Sequence, residues 1–274
     1  MTTLMSAMDR AVTGIAPSTA RIIHWLLDGE GLYHPVDRGL GAGVLEVAPW
    51  AGNSLEAART YAHATIRVLR ALGYRQFVDL GSGLPTPSRR FPHTVASAAS
   101  LGLDFKVLHI DADPYVIKHG PGLLPDVFQS HGFRRADLRD TGQIRHALTA
   151  SDLDLEQPTA FLLHSVLDQF LSAAAREIVS SVLALAPPGS VLSLTHATAD
   201  LCPDGSAEAA ARLYTKAGLP NRPRTAAEVR DLLKQPDHSS WLIRNPGIAC
   251  AADYPSPDQA HAYAVILQHA DALC

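Results

Sequence analysis

Three short segments place glycines or carboxylates where a small ligand could be held. The first is Asp79-Leu80-Gly81-Ser82-Gly83, directly after the apolar run 77–80. Glycines at such a point let the chain turn sharply and let a ligand approach the backbone. A nicotinamide site favours G-x-G-x-x-G, but here Pro85 intervenes and Thr86 takes the third glycine position. The pattern D-x-G-x-G therefore fits S-adenosylmethionine (SAM) better, with a tight structural turn as the alternative. The second segment is Ile110-Asp111-Ala112-Asp113-Pro114. A carboxylate at a strand's end, here Asp111 beside Ala112, can accept both hydroxyl protons of a ribose. Asp113, followed by Pro114, reads instead as a helix N-cap. The third segment is Ala136-Asp137-Leu138-Arg139-Asp140. Here Asp137, with Leu138, could receive an adenine amino group, and a helix N-cap is the alternative. The three segments in this order are more specific than any one alone.

A second group of residues could act on the partner in such a reaction. Methyl transfer is an in-line displacement in which the cofactor supplies reactivity and the protein supplies orientation and deprotonation. His164 and Asp168 flank Ser165-Val166-Leu167 after a fourth strand, and His196 ends a fifth. Histidine titrates near neutrality and suits a general base; a structural role for His196 is equally open. Nearer the N-terminus, Arg21 or Arg59 could pair with a carboxylate of the cofactor, or Arg21 could bridge to Asp37. Tyr33 belongs to the same region. Trp25, Tyr33 and Trp50 could wall a flat substrate or simply pack.

The elements that must position these residues follow from periodicity. Residues 18–28, 37–48 and 54–72 read as helices, the first capped by Ser18. Strands are expected at 76–80, 106–110, 133–136, 159–163 and 190–195. Between them helices are expected near 92–101, after Asp113-Pro114, at 141–149 and at 172–185. Helices follow at 206–216 and 225–233, the latter with a capping box from Thr225 to Glu228. Strands at 241–244 and 263–268 complete the set. This alternation implies an α/β fold with a mostly parallel, doubly wound sheet of seven strands. The chain divides into an all-α segment, 1–73, and a ligand-binding α/β domain, 74–274.

Composition excludes other classes. Hydrophobic residues make up 47% of the 274 and charged residues 18%, which is globular rather than disordered. A net charge of −4 leaves no basic footprint for nucleic acid or anionic lipid. No apolar run approaches the roughly 20 residues of a membrane span, and the start has no leader-like apolar stretch. Cys202, Cys250 and Cys274 are widely separated and form neither a disulfide framework nor a metal knuckle. A soluble cytoplasmic protein without a metal is expected; a homodimer is left open.

Taken together, these segments resemble the actinobacterial SAM-dependent methyltransferase family long catalogued as a domain of unknown function. The likeness spans nearly the whole chain. It includes Thr19-Ala20-Arg21-Ile22, Asp37-Arg38, residues 75–86 with the Gly83-Leu84-Pro85-Thr86 tail, Asp111-Ala112-Asp113-Pro114, residues 136–140 and His196-Ala197-Thr198-Ala199-Asp200. The resemblance implies a Rossmann-like class I methyltransferase with a helical N-terminal cap over the SAM pocket, releasing S-adenosylhomocysteine (SAH). It implies cofactor contacts from Arg21, Tyr33, Asp79, Gly81, Ser82, Gly83, Asp111, Ala112, Asp137, Leu138, His164 and Ser165, and chemistry at His164, Asp168 or His196. Two family asparagines are replaced, by Leu32 and Ala58. The expected reaction is methylation of a small molecule of secondary metabolism, with an indole ring carbon as the specific acceptor; a SAM-binding sensor without turnover is the alternative.

Overall fold

The computed structural model describes residues 15–86, 105–124, 132–202, 204–235, 240–248 and 262–270. The helix expected at 92–101 lies outside them. Among the described residues three helices precede the first strand: α1 (Thr19–Leu26), α2 (Pro35–Val47) and α3 (Ala51–Ala71). The sheet strands are β1 (Gln76–Leu80), β2 (Lys106–Asp111), β3 (Gly132–Arg135), β4 (Ala160–His164), β5 (Val191–Ala197), β6 (Trp241–Ile248) and β7 (Ala262–His269). Between them run α4 (Pro114–His119), α5 (Thr141–Thr149), α6 (Ser172–Leu185), α7 (Ser206–Lys216) and α8 (Ala226–Leu233). The strand order is β3-β2-β1-β4-β5-β7-β6, with β1 to β5 parallel and β7 antiparallel to both neighbours. This is the α/β, mostly parallel, seven-stranded sheet that the alternation implied.

Both faces of the sheet are covered, which is why β1 is buried at every position and β4 is a nearly continuous apolar run. On one face Val78, Leu80, Leu108, Ile110, Phe161 and Leu163 bury against α5, α6 and α8. On the other, Phe77, Val107, Leu162 and Val191 bury against Ile66 and Leu69 of α3. Strand side chains alternate. Asp79 stands two residues after Phe77 and His164 two after Leu162, so both polar side chains emerge on the α3 face, at the strand ends.

Several boundaries differ from the sequence reading for local reasons. Helix α2 starts two residues early because Pro35 occupies its first turn and Asp37 accepts the His34 N–H at 2.8 Å in a capping box. Ser18 does not cap α1; its hydroxyl donates to Asp113 Oδ2 at 2.6 Å. Asp113, as expected, caps α4 by accepting the Tyr115 N–H at 2.8 Å. Strand β6 runs on to Ile248 through a register shift between Arg244 and Gly247, around Pro246, as an edge strand permits.

The N-terminal helices converge on one carboxylate. Asp37 is fully buried and accepts from Ser18 N (2.9 Å), Arg21 Nε (2.7 Å) and His34 N (2.8 Å). Arg21 in turn lies over the Tyr115 ring, 5.2 Å from its centroid, and so carries the connection to α4. Asp37→Ala leaves a buried guanidinium and two amides without their acceptor. It should cost about 3–5 kcal/mol, the range for breaking a buried pair from one side, in urea unfolding. A loss below about 1 kcal/mol, the range of a surface pair, would show that the pair is solvated.

Candidate active site

A cavity of about 370 Å³ opens at the carboxyl ends of the strands. It lies where the strand order reverses between β1 and β4, the place at which α/β sheets accommodate ligands. Its volume is in the range of about 300–1,000 Å³ usual for small-molecule sites. Asp79, Gly81, Ser82, Gly83, Asp111, Ala112, Asp137, Leu138, His164 and Ser165 all line it. These residues come from four strand ends, and only the sheet brings them together.

The glycine loop is shaped for close approach. Gly81 (φ 67°) and Gly83 (φ 61°) both adopt left-handed backbone conformations. A Cβ on Gly81 would stand 2.3 Å from Val166 Cγ2, so the loop can press on the β4 end only without a side chain. A Cβ on Gly83 would meet nothing within 4 Å. The Ser82 hydroxyl is buried with no hydrogen-bond partner. An open cradle above Gly83 and an unpartnered hydroxyl beside it fit a cofactor with polar atoms.

Asp111 is held from behind. Its Oδ2 accepts the Gly83 N–H at 2.9 Å and its Oδ1 the Asp113 N–H at 2.8 Å. Burial raises its pKa, while the two amides oppose the rise. Asp137 is gripped by the Arg139 guanidinium at 2.5–3.1 Å, which lowers its pKa and keeps it an acceptor. The N-cap of α5 is Asp140, not Asp137: Asp140 Oδ1 accepts the Gln143 N–H at 3.1 Å. The competing cap reading of this segment thus belongs to a different carboxylate.

Across the cavity, Arg59 reaches down from α3. Its Nη2 donates a long hydrogen bond, 3.4 Å, to the Leu84 carbonyl, and the charge of Asp79 is near. His164 Nε2 meets Ser193 Oγ at 3.0 Å, and the Tyr61 ring packs edge-on, 6.2 Å between centroids. Burial drives the pKa of His164 down to about 4, against the pull of Asp79, so the ring is neutral at neutral pH. Ser165 carries a left-handed backbone (φ 54°) and its hydroxyl meets Thr195 Oγ1 at 3.2 Å.

Arg21, Tyr33, Asp168 and His196, singled out from sequence, are not among the cavity's lining. Arg21 is spent on Asp37 and on the Ala16 carbonyl at 2.6 Å, so that of these two arginines Arg59 is the one that lines the cavity. Tyr33 precedes α2 outside the lining. His196 accepts from Arg224 Nη1 at 2.7 Å through Nε2, and its Nδ1 donates to the Ala197 carbonyl at 2.7 Å. Both ring nitrogens are therefore engaged, and burial lowers the pKa to about 4. Asp168 is buried in the short 3₁₀ turn Leu167–Gln169, with Oδ1 lacking a hydrogen bond. The aromatic wall is not formed by tryptophans either: Trp25 packs on Gly41 and Trp50 donates to Ser206 Oγ at 2.9 Å. Residues that sequence reasoning missed are Ile23, Leu55, Gln169, Phe170 and Leu219, which also line the cavity. They carry no motif, and long-range packing alone brings them there.

A mostly parallel seven-stranded α/β sheet with a glycine loop at its switch point is the architecture of a class I methyltransferase. The chain belongs to the S-adenosyl methyltransferase family, whose model matches residues 5–270. It is similar to a crystal structure of a DUF574 family protein from Streptomyces avermitilis, at 25% identity over 93% of this chain and 98% of that one, with a TM-score of 0.80. A putative methyltransferase from Thermobifida fusca gives 25% identity, 95% and 98% coverage and a TM-score of 0.79. Human N-acetylserotonin methyltransferase in complex with SAM shares the fold at 13% identity, covering 96% of this chain and 65% of that one, with a TM-score of 0.52. The curated proteins provide no match. The protein is thus a SAM-dependent methyltransferase. No helix among the described residues is long and apolar enough to cross a membrane.

Two outcomes follow from this geometry. Gly83→Val should fill the open cradle and abolish SAH binding in calorimetry while the melting transition persists; normal binding would put the cofactor loop elsewhere. Burial raises the Asp168 carboxyl to about 6 from the ordinary 3.8, so its contribution to stability is complete below 3.8 and is lost as pH rises through 6. Asp168→Asn should therefore stabilise the fold by about 1–3 kcal/mol at about pH 8 and by much less at about pH 4. Urea unfolding at the two pH values decides it: equal effects would mean that the carboxyl is solvated.

Proposed function

We propose that this methyltransferase acts on a small molecule of secondary metabolism, with a ring carbon of an indole as the specific acceptor. The observation that carries the reading is the composition of the cavity. Carboxylates and the glycine loop occupy the β1–β3 side. Ile23, Leu55, Val166, Phe170 and Leu219 supply apolar lining, with His164 and Gln169 as polar groups. That is the make-up of a site for a flat, mostly apolar molecule with a few hydrogen-bonding atoms.

On this reading Asp111 receives the ribose hydroxyls, Asp137 the adenine amino group, and Arg59 the cofactor's carboxylate. Gly81, Ser82, Gly83, Ala112, Leu138 and Ser165 shape the remaining walls. When bound, SAM supplies an activated methyl group. Residues 1–73 act as a helical cap on the α/β domain 74–274, contributing Ser18, Ile23, Leu55 and Arg59 to the cavity; α3 is at once part of the cap and a layer of the core. Of the three candidate bases, His164 alone lines the cavity. Attack by an indole carbon leaves a cationic ring, which is a strong acid, so a neutral imidazole suffices as base although its own pKa is low. Orientation in the cavity supplies the rest.

A panel of candidate acceptors, with an indole among them, tests the substrate class by transfer of labelled methyl. Labelling of nucleic acid or protein only would overturn it, and SAM binding without any transfer would favour a sensor. Asp111→Ala should weaken SAH binding by about 1.5–3 kcal/mol, and unchanged affinity in calorimetry would remove it from the ribose site. Because His164 titrates at about 4, turnover should stay level down to about pH 5 and fall below it. A break near 6.5 that His164→Ala abolishes would show instead an exposed imidazole.

A further inference from the structure

We propose that Arg224 is a positioning residue for the acceptor side of the cavity, clamping the turn that forms its wall. The turn after β4 contributes Val166, Gln169 and Phe170 to the lining, with Leu167 and Asp168 behind. Arg224 comes from a distant part of the chain, between α7 and α8, and is only 3% exposed. Its Nη1 donates to the Leu167 carbonyl at 3.0 Å and its Nη2 to the Phe170 carbonyl at 2.7 Å. One planar guanidinium thus spans both ends of the turn, a task that its rigid fork performs and an ammonium does not.

The clamp is itself anchored. Arg224 N donates to the Ala197 carbonyl at 3.1 Å, and the Arg224 carbonyl accepts from Ala199 N at 3.0 Å, which ties its backbone to the end of β5. His196 accepts a third guanidinium hydrogen bond at 2.7 Å, and with Nδ1 donating to a carbonyl the ring presents Nε2 as a lone pair. Neutral His196 is therefore the acceptor that orients the fork. Arg222 N adds a further bond to the Asp168 carbonyl at 2.7 Å. The clamp's bonds to the turn fall on Leu167, Asp168 and Phe170, not on Val166, where the turn meets the Gly81 loop, and none reaches the Asp111 and Asp137 carboxylates. Loosening the clamp should free the wall next to the acceptor and spare the nucleotide end.

The inference rests on the proposed placement of the acceptor beside Val166, Gln169 and Phe170, and the test separates the two. Arg224→Lys, with Arg224→Met as a second variant, is compared with the parent protein by amide hydrogen exchange, SAH calorimetry and ligand-observed NMR of indole on SAH-saturated protein. In Arg224→Lys, exchange at residues 166–170 should rise by about tenfold or more, with strand amides unchanged and SAH affinity within about threefold. Indole binding should be lost in both variants. Unchanged exchange at the turn in Arg224→Lys overturns the clamp. So does a rise shared by all strands in both variants, which would mark a general stability role. Local loosening with indole binding intact overturns the positioning role. If the parent protein itself does not take up indole, the indole reading fails, while the exchange and SAH measurements still decide the clamp.

Discussion

The close approach of Gly81 to Val166 is the constraint on which the site depends. The loop after β1 lies against the end of β4 with no room for a Cβ, at the point where the strand order reverses. Its left-handed turn brings the Gly83 amide onto Asp111 at the end of β2, and the same carboxylate takes the Asp113 amide that opens α4. The ends of β1 and β2 are thereby joined through backbone donors and one half-buried acid, and the end of β4 packs against them. Hydrogen bonds to charged groups are the strong ones, and here they come preformed.

The buried polar groups fall into two kinds. Asp37, Arg21, Arg224 and His196 are satisfied on nearly all sides by protein atoms, and they hold elements together. Ser82 has no such partner and lines the cavity, where half-buried Arg59 makes a long contact to Leu84. A buried polar atom left unsatisfied costs free energy, so its retention at a cavity wall points to a ligand that completes it. Asp168 lies behind the wall, buried and incompletely bonded, and Arg224, which grips the carbonyls on either side of it, supplies the nearby positive charge.

The N-terminal helices are not an appendage on the sheet. Helix α3 covers one sheet face with Ile66 and Leu69, and the same helix presents Ala58, Arg59 and Ala62 to the cavity. Ser18 and Arg21 join α1 to the Asp113 end of α4. Shape and cofactor chemistry are therefore coupled through the same side chains. Ala58 stands on the cavity wall itself, where it presents a methyl and no hydrogen-bonding group.

Much of this was legible in the sequence because it is local. Alternating apolar runs determine strands, Asp113-Pro114 and Thr225 with Glu228 determine helix starts, and the glycines of 79–83 determine a turn that only they can make. The acids at the ends of β2 and β3 follow from the same register. What tertiary structure alone decided was which charged groups face the cavity and which face each other. Arg21 and Arg59 are alike in sequence, yet one is consumed by Asp37 because α1 crosses α2 there, and the other hangs from α3 over Asp79. His164 and His196 both end central strands. The sheet places the first beside the cavity, while Arg224, brought in from 28 residues further along, takes the lone pair of the second. Such pairings depend on contacts between segments far apart in the chain, and residue type and spacing carry no record of them.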